Sequence, residues 1–335
     1  MQVKTIENID SLLAIKDNWN SLFKNVGISI FQSFDYCYHS ARINNSKLFV
    51  ITMQDKGELV EIWPCQIINK RLRFINDSHA DFCDILSITS SHGIVNFISS
   101  KSKLKGVYFK NLRKESLTLT KFKYSDNTIL NQKIDFSVIT LKQTDNFPSN
   151  FERFVYRQKR RLKRVLNKYT AIHKIDTISK SPFPLNEIIN LRTEMIRIGS
   201  RDESFMNDEL LKLCVKLYQK NKLIISSVNV NEEIAGISLI FKNKNEYSFW
   251  IDLYNDKQMM NLFHNTLFIK HITLNESAIF NFGRGTYRYK LQNFSPDIFR
   301  LYELTTFSNS FLKMKFFIQD KCLTLVKLIY KEVKK

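Results

Sequence analysis

The first candidates for chemistry are an acidic residue and a histidine beside one predicted strand. Asp252 ends the segment 249–252, where a central strand is predicted. A carboxylate at that point could accept a proton from a reacting group, or it could be an ordinary turn residue. His264 lies at the start of the next predicted helix, where it could be a base or could cap the helix.

A second candidate group follows the next predicted strand and is cationic and phenolic. Arg284, Tyr287 and Lys290 lie close together there, beside Gly283 and Gly285. Glycines allow a ligand to approach the backbone closely, so these side chains could bind a substrate or a phosphate. A structural β-bulge with exposed cations is the alternative.

Residues 79–84 hold four side chains of types that bind metals. His79, Asp81, Cys83 and Asp84 lie within this short segment. Zinc sites usually draw on two separated ligand pairs, and the sequence offers no second pair, so we expect no metal. Asp81 and Asp84 are better explained as loop caps or as ligands for an acceptor molecule.

A strongly basic helix is predicted over 149–169, because Ser149 and Glu152 have the spacing of a capping box. Its apolar stripe consists of Phe151, Phe154, Val155, Leu162, Val165, Leu166 and Tyr169. Its cations are Arg153, Arg157, Lys159, Arg160, Arg161, Lys163, Arg164 and Lys168. Such a face is either solvated or a binding surface for phosphates or an acidic partner, because dense like charges repel one another.

The composition predicts an anionic partner. The 335 residues include 51 Lys and Arg against 32 Asp and Glu, a net charge of +19, and 44% are hydrophobic. This excess suits a phosphate-rich cofactor, a nucleotide-linked substrate, nucleic acid or an acidic membrane surface. Five scattered cysteines without a CxxC pair favour reduced thiols. With neither a signal peptide nor a long apolar run, we expect a soluble, cytoplasmic protein.

The predicted elements repeat along the chain. Two helices, three strands, a helix and a strand cover 10–110, and the same order recurs over 185–282. Asn69-Lys70 and Asn231-Glu232 are turn signals between the strands. This order predicts an α/β fold of two tandem units, each with a mixed sheet flanked by helices.

We predict domains at 1–145 and 146–335, and the second contains the basic helix 149–169. A further basic helix is expected over 311–335. It could dock on the second domain or lie on an anionic membrane, which would make the protein peripheral to the inner membrane face.

The segment 281–290 resembles the strand-end motif of CelD-like acetyltransferases, apolar-Asp-Phe-x-x-Gly-x-x-x-Tyr-Lys, with Asn281 in place of Asp. The basic helix resembles the Arg/Lys-rich segment that precedes the second half in that family. Residues 81–84 resemble its Asp-Tyr-x-Asp motif, with Phe for Tyr. That family belongs to the GNAT superfamily, and the FemABX aminoacyltransferases share its tandem build. The resemblance covers roughly residues 10 to 300 and implies two GNAT-like domains.

The resemblance implies an N- or O-acyltransferase that uses acetyl-CoA or another acyl-CoA as donor. The implied acceptor is an amine or hydroxyl of a sugar or of a polysaccharide or cell-envelope precursor, nucleotide- or lipid-linked. The catalytic candidates are Asp252, Tyr287 and His264. The donor-binding candidates are Lys257, Arg284 and Lys290. The acceptor-binding candidates are Asp81, Asp84, Arg157 and Arg161.

One departure from the family pattern concerns the donor. In that family the loop from the fourth strand to the next helix is Gly-rich, so that N–H groups can approach the pyrophosphate of acyl-CoA. Residues 255–264 contain no glycine here, so Lys257 and nearby cations would have to help, or the donor differs. A FemABX-like transferase that uses aminoacyl-tRNA is the first alternative, although its coiled-coil arm is not predicted. A non-catalytic GNAT scaffold that binds an anionic partner is the second.

The charge of two segments suggests which half binds the donor and which half binds the acceptor. The loop 76–89 in the first half is acidic and would repel a pyrophosphate, whereas the segment 283–290 in the second half is cationic. We therefore expect the donor in the second half and the acceptor, through its amine, at the acidic loop.

Overall fold

The computed structural model describes residues 1–123, 127–177, 181–257, 259–285, 287–308 and 313–314. Its strands are β1 (Gln2–Ile6), β2 (Val50–Asp55), β3 (Glu58–Trp63), β4 (Cys65–Ile68), β5 (Arg71–Phe74), β6 (Leu86–Ser87), β7 (Tyr108–Arg113), β8 (Thr128–Leu141), β9 (Ala171–Asp176), β10 (Ile224–Val230), β11 (Glu233–Asn243), β12 (Glu246–Tyr254), β13 (Ala278–Arg284) and β14 (Asp297–Thr306). Its helices are α1 (Ile9–Ala14), α2 (Lys16–Val26), α3 (Phe34–Ile43), α4 (Gly93–Ser99), α5 (Leu117–Phe122), α6 (Tyr156–Leu166), α7 (Leu185–Arg197), α8 (Asp208–Gln219), α9 (Met260–Asn275) and α10 (Arg288–Phe294).

The chain forms two compact units. Unit 1 comprises Met1–Gly27, Asn45–Lys133 and the described residues from Leu301 onward. Unit 2 comprises Ile28–Asn44 and Ile134–Arg300. The sequence predicts one boundary, between residues 145 and 146, whereas these units alternate along the chain. The predicted helix over 311–335 lies outside the described residues, apart from residues 313 and 314.

Unit 1 contains a four-stranded antiparallel sheet in the order β1, β2, β3, β6. The hairpin β4–β5 turns at Asn69 and Lys70, which have φ angles of 52° and 62°. Two positive φ angles are typical of a type I′ turn, whose twist suits a two-residue hairpin, so this turn signal is confirmed. Strand β7 pairs antiparallel with the part of β14 that belongs to this unit.

Unit 2 contains a mixed sheet in the order β8, β13, β12, β11, β10, β9. Strands β12 and β13 are parallel, and their register runs from Glu246↔Ile279 to Ser248↔Asn281. Beyond that register β12 continues to Tyr254 and β13 continues to Arg284, so the two strands part. Helix α9 connects them, as a parallel pair requires a crossover. The parted ends of β12 and β13 are where a cleft can form.

The basic helix is shorter than its predicted range of 149–169. Helix α6 begins at Tyr156, and the capping-box spacing at residue 149 is not used. The aromatic rings of Phe147, Phe151 and Phe154 instead form a buried cluster with centroids 5.4 to 6.2 Å apart. Burial of these rings holds residues 149–154 in turns, because the apolar contacts outweigh one capping hydrogen bond.

The predicted fold class is confirmed, since both units carry sheets flanked by helices. Within the described ranges, no helix is long and apolar enough to cross a membrane.

Candidate functional site

Three polar side chains form a row across adjacent strands of unit 2. Ser226 of β10 pairs with Ser238 of β11, and Ser238 pairs with Asp252 of β12. Directly paired residues of antiparallel strands point to the same face of a sheet. The three side chains therefore share one face, in a sheet whose neighbouring positions are apolar and buried.

Helix α9 lies against this face and extends the row into a chain of hydrogen bonds. The Ser238 hydroxyl donates to Oδ1 of Asp252 at 2.7 Å and lies 3.4 Å from Nδ1 of His264. Nε2 of His264 is 2.8 Å from the Ser226 hydroxyl, which is 2.9 Å from Nε2 of His173 on β9. The carboxylate is thus linked through two hydroxyls to two imidazoles.

Burial sets the protonation of this chain. It raises the pKa of Asp252, although Ser238, Lys290 and Asn265 act to lower it. It lowers the pKa of His264 to about 3 and that of His173 to about 4. Both imidazoles are therefore neutral near pH 7, and each carries one N–H.

With both imidazoles neutral and Asp252 ionised, the hydrogen bonds of this chain have one consistent direction. A carboxylate can only accept, so the single hydrogen of Ser238 points to Asp252. Nδ1–H of His264 must then donate to Ser238, which leaves its Nε2 to accept from the Ser226 hydroxyl. Nε2–H of His173 completes the order by donating to Ser226. Every donor in the chain is therefore oriented toward Asp252.

Gly236 makes room for the His264 ring. A Cβ atom at residue 236 would lie 3.1 Å from Nδ1 of His264. Gly236 is two residues before Ser238 on the same strand, so the glycine and the hydroxyl face the ring together. A side chain at position 236 would push the imidazole away from Ser238.

Asn265 contacts the second carboxylate oxygen. Its Nδ2 group lies 3.5 Å from Oδ2 of Asp252, which fixes the orientation of the amide. Its Oδ1 atom is buried and has no hydrogen-bond partner in the part of the chain that the structure describes. The residue that contacts Asp252 therefore carries a buried acceptor atom whose hydrogen-bonding capacity the described residues do not satisfy.

Residues of α10 provide charge and phenol groups that act on Asp252. Lys290 is 5% exposed, and its ammonium donates to the carbonyl oxygen of Phe282 and lies 5.1 Å from the ring centre of Tyr287. The positive charge of Lys290 lowers the pKa of Asp252. Burial and then the charge of Asp252 raise the pKa of Tyr289, so this phenol keeps its proton. Tyr287 is 56% exposed, at the start of α10.

The loop before α9 does not reproduce a glycine-rich phosphate cradle. Met259 has φ 65° at the N-cap, a left-handed conformation that usually favours glycine. The first-turn N–H of Met260 donates to Lys257, and that of Leu262 donates to the side chain of Asn261. Two N–H groups that could have faced a pyrophosphate are therefore engaged by the chain itself.

Cations of α6 line a cavity at this same helix end. The cavity has a volume of about 460 Å³ and is lined by Arg157, Arg160, Arg161, Arg164, Val165, Lys168 and Met259. Arg157 and Arg161, predicted from the sequence, are thus brought together with three further cations and with the N-cap of α9. Arg284 is half-buried at the end of β13, where it pairs in register with Phe136 of β8.

Comparisons with known proteins identify the fold. No family model matches the sequence, and no curated protein matches it. Among solved structures, FemX superimposes with a TM-score of 0.61 at 8% identity, covering 94% of this chain and 99% of its own. L-PGS from Bacillus licheniformis gives 0.59 at 13% identity over 88% and 92%. A tandem GNAT protein from the clavulanic acid biosynthesis pathway gives 0.53 at 7% identity over 92% and 99%.

The chain has a tandem GNAT fold. Identities this low establish the fold alone, and the similarity extends over nearly the whole chain. Among the described residues of this GNAT fold, no group of three or more His, Cys, Asp or Glu could hold a metal ion. The four described cysteines are buried and free.

Asp84, in unit 1 of the GNAT fold, is buried and its carboxylate is held by hydrogen bonds within the chain. It is 3% exposed and accepts hydrogen bonds from the hydroxyls of Ser116 and Thr118 at 2.9 and 2.7 Å. The N–H groups of Ile85, Leu117 and Thr118 donate to it at 2.8 to 2.9 Å. The carboxylate thereby caps α5, which is the loop-capping explanation considered for it. Asp81 is also buried.

Ser226, Ser238, His173 and Asn265 were not candidates from the sequence, and Tyr289 entered only as the Tyr of the strand-end motif. Each serine stands alone or in a pair within an otherwise apolar strand segment, which is an unusual place for a hydroxyl. The sequence therefore contains a signal for the two serines. Their contacts with His264 cannot be predicted from it, because they depend on strand register and on the packing of α9.

Proposed function

We propose that this protein is an acyltransferase that transfers an acyl group from acyl-CoA to an amine or hydroxyl, with Asp252 as the base. The observation that carries the proposal is the carboxylate of Asp252 at the parted end of β12, with a raised pKa and a fixed set of donors. A base whose pKa is raised toward neutrality takes a proton more effectively than an ordinary carboxylate.

The reaction would proceed by direct attack. The acceptor nitrogen or oxygen forms a bond to the acyl carbon, and its proton passes to Asp252. The bond between the acyl carbon and the sulfur of CoA breaks, and the thiolate takes up a proton from water. Asp252 releases its proton to water, which restores the carboxylate. Tyr289, whose raised pKa keeps the phenol protonated, is our candidate to donate a hydrogen bond to the developing negative charge.

The acceptor class follows from the CelD-like resemblance. We infer an amine or hydroxyl on a sugar or on a polysaccharide or cell-envelope precursor, in a cytoplasmic protein that can be peripheral to the inner membrane face. The Oδ1 atom of Asn265, which has no hydrogen-bond partner among the described residues, supports an acceptor that donates a hydrogen. The sequence offers Asp81 and Asp84 as candidates for holding it, and the five hydrogen bonds of Asp84 favour a structural role for that residue.

Aminoacyl-tRNA is the second candidate donor. Two observations favour it: the loop before α9 is glycine-free, and α6 presents a cluster of cations beside it. The fold similarity to FemX is consistent with this candidate but does not distinguish it from acyl-CoA.

The test is an assay of acyl transfer by the purified protein from acetyl-CoA to amino-sugar acceptors. Transfer is measured as the release of free thiol. Asp252→Asn should lower kcat/KM by roughly 10²- to 10⁴-fold, because it removes the base. Asp256→Asn, an exposed neighbour, is the matched control. Activity of Asp252→Asn equal to that of the control would refute the base assignment. Absence of transfer from any short acyl-CoA would move the proposal to the aminoacyl-tRNA candidate.

A further inference from the structure

Several basic side chains of α6 form a row along the helix. Arg157, Arg161 and Arg164 are spaced by four and three residues, so they lie on one side of the helix. Seven residues of helix place the first and last about 10 Å apart. Arg160 and Lys168 complete the lining of the 460 Å³ cavity.

Among the described residues, the guanidinium groups of α6 that line the cavity have no acidic partners. Arg153, just before α6, binds both oxygens of Asp297 at 2.6 and 2.8 Å. By contrast, no ion pair joins Arg157, Arg160, Arg161 or Arg164 to any carboxylate of the described residues. Four like charges so close together raise the energy of the free protein, and an anion in the cavity would relieve it.

The row is held in place by the core. Leu162 and Val165 of α6 are buried in the core of unit 2, and Val165 also borders the cavity. Gln158 is buried and donates to the carbonyl oxygen of Gln292 at 3.2 Å. The helix backbone that carries the arginines is therefore fixed before any ligand binds, which lowers the entropic cost of binding.

The cavity also borders the positive end of α9. Met259 lines it and is the N-cap of this 16-residue helix. The helix dipole adds partial positive charge at that end. Met259 follows Asp252 by seven residues, so the cavity borders the segment that leads from the strand of the proposed base into α9.

We propose that this cavity binds the phosphate groups of the nucleotide-containing acyl donor, in place of a glycine-rich loop. The inference rests on the proposed function, since it assumes that the donor carries phosphates. Arginine binds phosphate oxygens through paired N–H donors, so side chains of α6 would supply the hydrogen bonds that the engaged N–H groups of α9 do not. The pyrophosphate of CoA and the phosphodiesters of RNA share this chemistry.

The test is calorimetric titration of the full chain with CoA and, separately, with a short RNA hairpin. Arg157→Ala/Arg161→Ala should weaken binding about tenfold or more, because each arginine provides charge-assisted hydrogen bonds. Lys159→Ala/Lys163→Ala is the matched control, with the same loss of charge on the same helix but outside the cavity. Arg157→Lys/Arg161→Lys, which keeps the charge and removes the paired donors, should lie in between.

The ligand that binds identifies the donor class, and selective weakening by the arginine pair supports the proposal. Equal weakening by the lysine pair would mean non-specific charge and would overturn it, as would a native protein that binds neither probe. The failure of the proposed function looks different: binding would remain sensitive to Arg157 and Arg161 while no acyl transfer occurred with either donor. If transfer needs Asp252 but the KM for the donor is unchanged in Arg157→Ala/Arg161→Ala, the assignment of the cavity to the donor phosphates is wrong. The proposed function would stand in that case.

Discussion

The hydroxyl of Ser238 donates a 2.7 Å hydrogen bond to Oδ1 of Asp252, the residue paired with it on the next strand. This bond fixes the only hydrogen of Ser238 and so sets the direction of every donor behind it, back to His173. It also stabilises the charged form of Asp252 against the effect of burial. Ser238 is therefore a positioning residue, and its removal has consequences that can be separated from a general loss of stability.

Ser238→Ala should lower kcat and shift its acid limb to higher pH. The hydrogen bond from Ser238 lowers the pKa of Asp252, so its loss lets that pKa rise further. The base form is then lost at a higher pH as the solution is acidified. The measurement is the pH profile of kcat against that of Ser227→Ala, whose side chain points to the other face of β10. An unshifted acid limb in Ser238→Ala would contradict the positioning role.

His264 should make stability depend on pH. Its folded-state pKa of about 3 lies below the ordinary value of 6.5, so the unfolded chain binds more protons between these values. The contribution is fully present above about pH 6.5 and is lost as the pH falls toward 3. Between pH 7 and pH 5 the loss is ~2 kcal/mol for this residue.

Urea unfolding at pH 7 and pH 5 of the native protein and of His264→Gln isolates this contribution. The raised pKa of Asp252 acts in the opposite direction, so the difference between the two proteins is the quantity to compare. His264→Gln should lose less stability on acidification than the native protein. His92→Gln, an exposed histidine, should behave like the native protein. Equal acid sensitivity of native and His264→Gln proteins would argue against a buried neutral imidazole.

Gly236→Ala should destabilise unit 2 and lower activity. The added Cβ would lie 3.1 Å from Nδ1 of His264, a ring that two serine hydroxyls hold in place, so it cannot move freely. Overpacking of this kind costs about 1 to 3 kcal/mol. Gly93→Ala is the control, because its Cβ would meet the flexible end of Met53 at 3.2 Å. Thermal unfolding measures both, and similar small losses would show that the His264 ring can shift at no cost.

Asp84→Ala should act on folding rather than on acceptor use. Removal of its carboxylate leaves the capping donors of α5 without a partner, which costs roughly 2 to 4 kcal/mol. Chemical denaturation measures this loss, with exposed Glu58→Ala as the control. The folded fraction of Asp84→Ala should keep the native KM for the acceptor. A raised acceptor KM at unchanged stability would instead assign Asp84 to the acceptor site.

The sequence alone determined the local elements of this protein. Apolar periodicity predicts helices over 185–198, 207–220 and 260–274, and the ends of α7, α8 and α9 lie within two residues of these bounds. Asn231 and Glu232 form the expected turn with φ angles of 54° and 66°. Period and turn chemistry involve only near neighbours along the chain, so they can be read without a structure. The order of these elements was enough to predict the tandem α/β fold. The local patterns did not predict the strands β8, β9 and β14, whose partners lie far away in sequence.

Tertiary structure decided the site. Asp252 and His264 were candidates from the sequence, yet their connection runs through Ser238 and Ser226, which depend on the register of β10, β11 and β12. A register shift of one residue would turn both serines to the other face. The start of α6 was likewise decided by the buried rings of Phe147, Phe151 and Phe154 and not by the capping box at residue 149. Long-range packing outweighs a local signal wherever the apolar surface that it buries is worth more than one hydrogen bond.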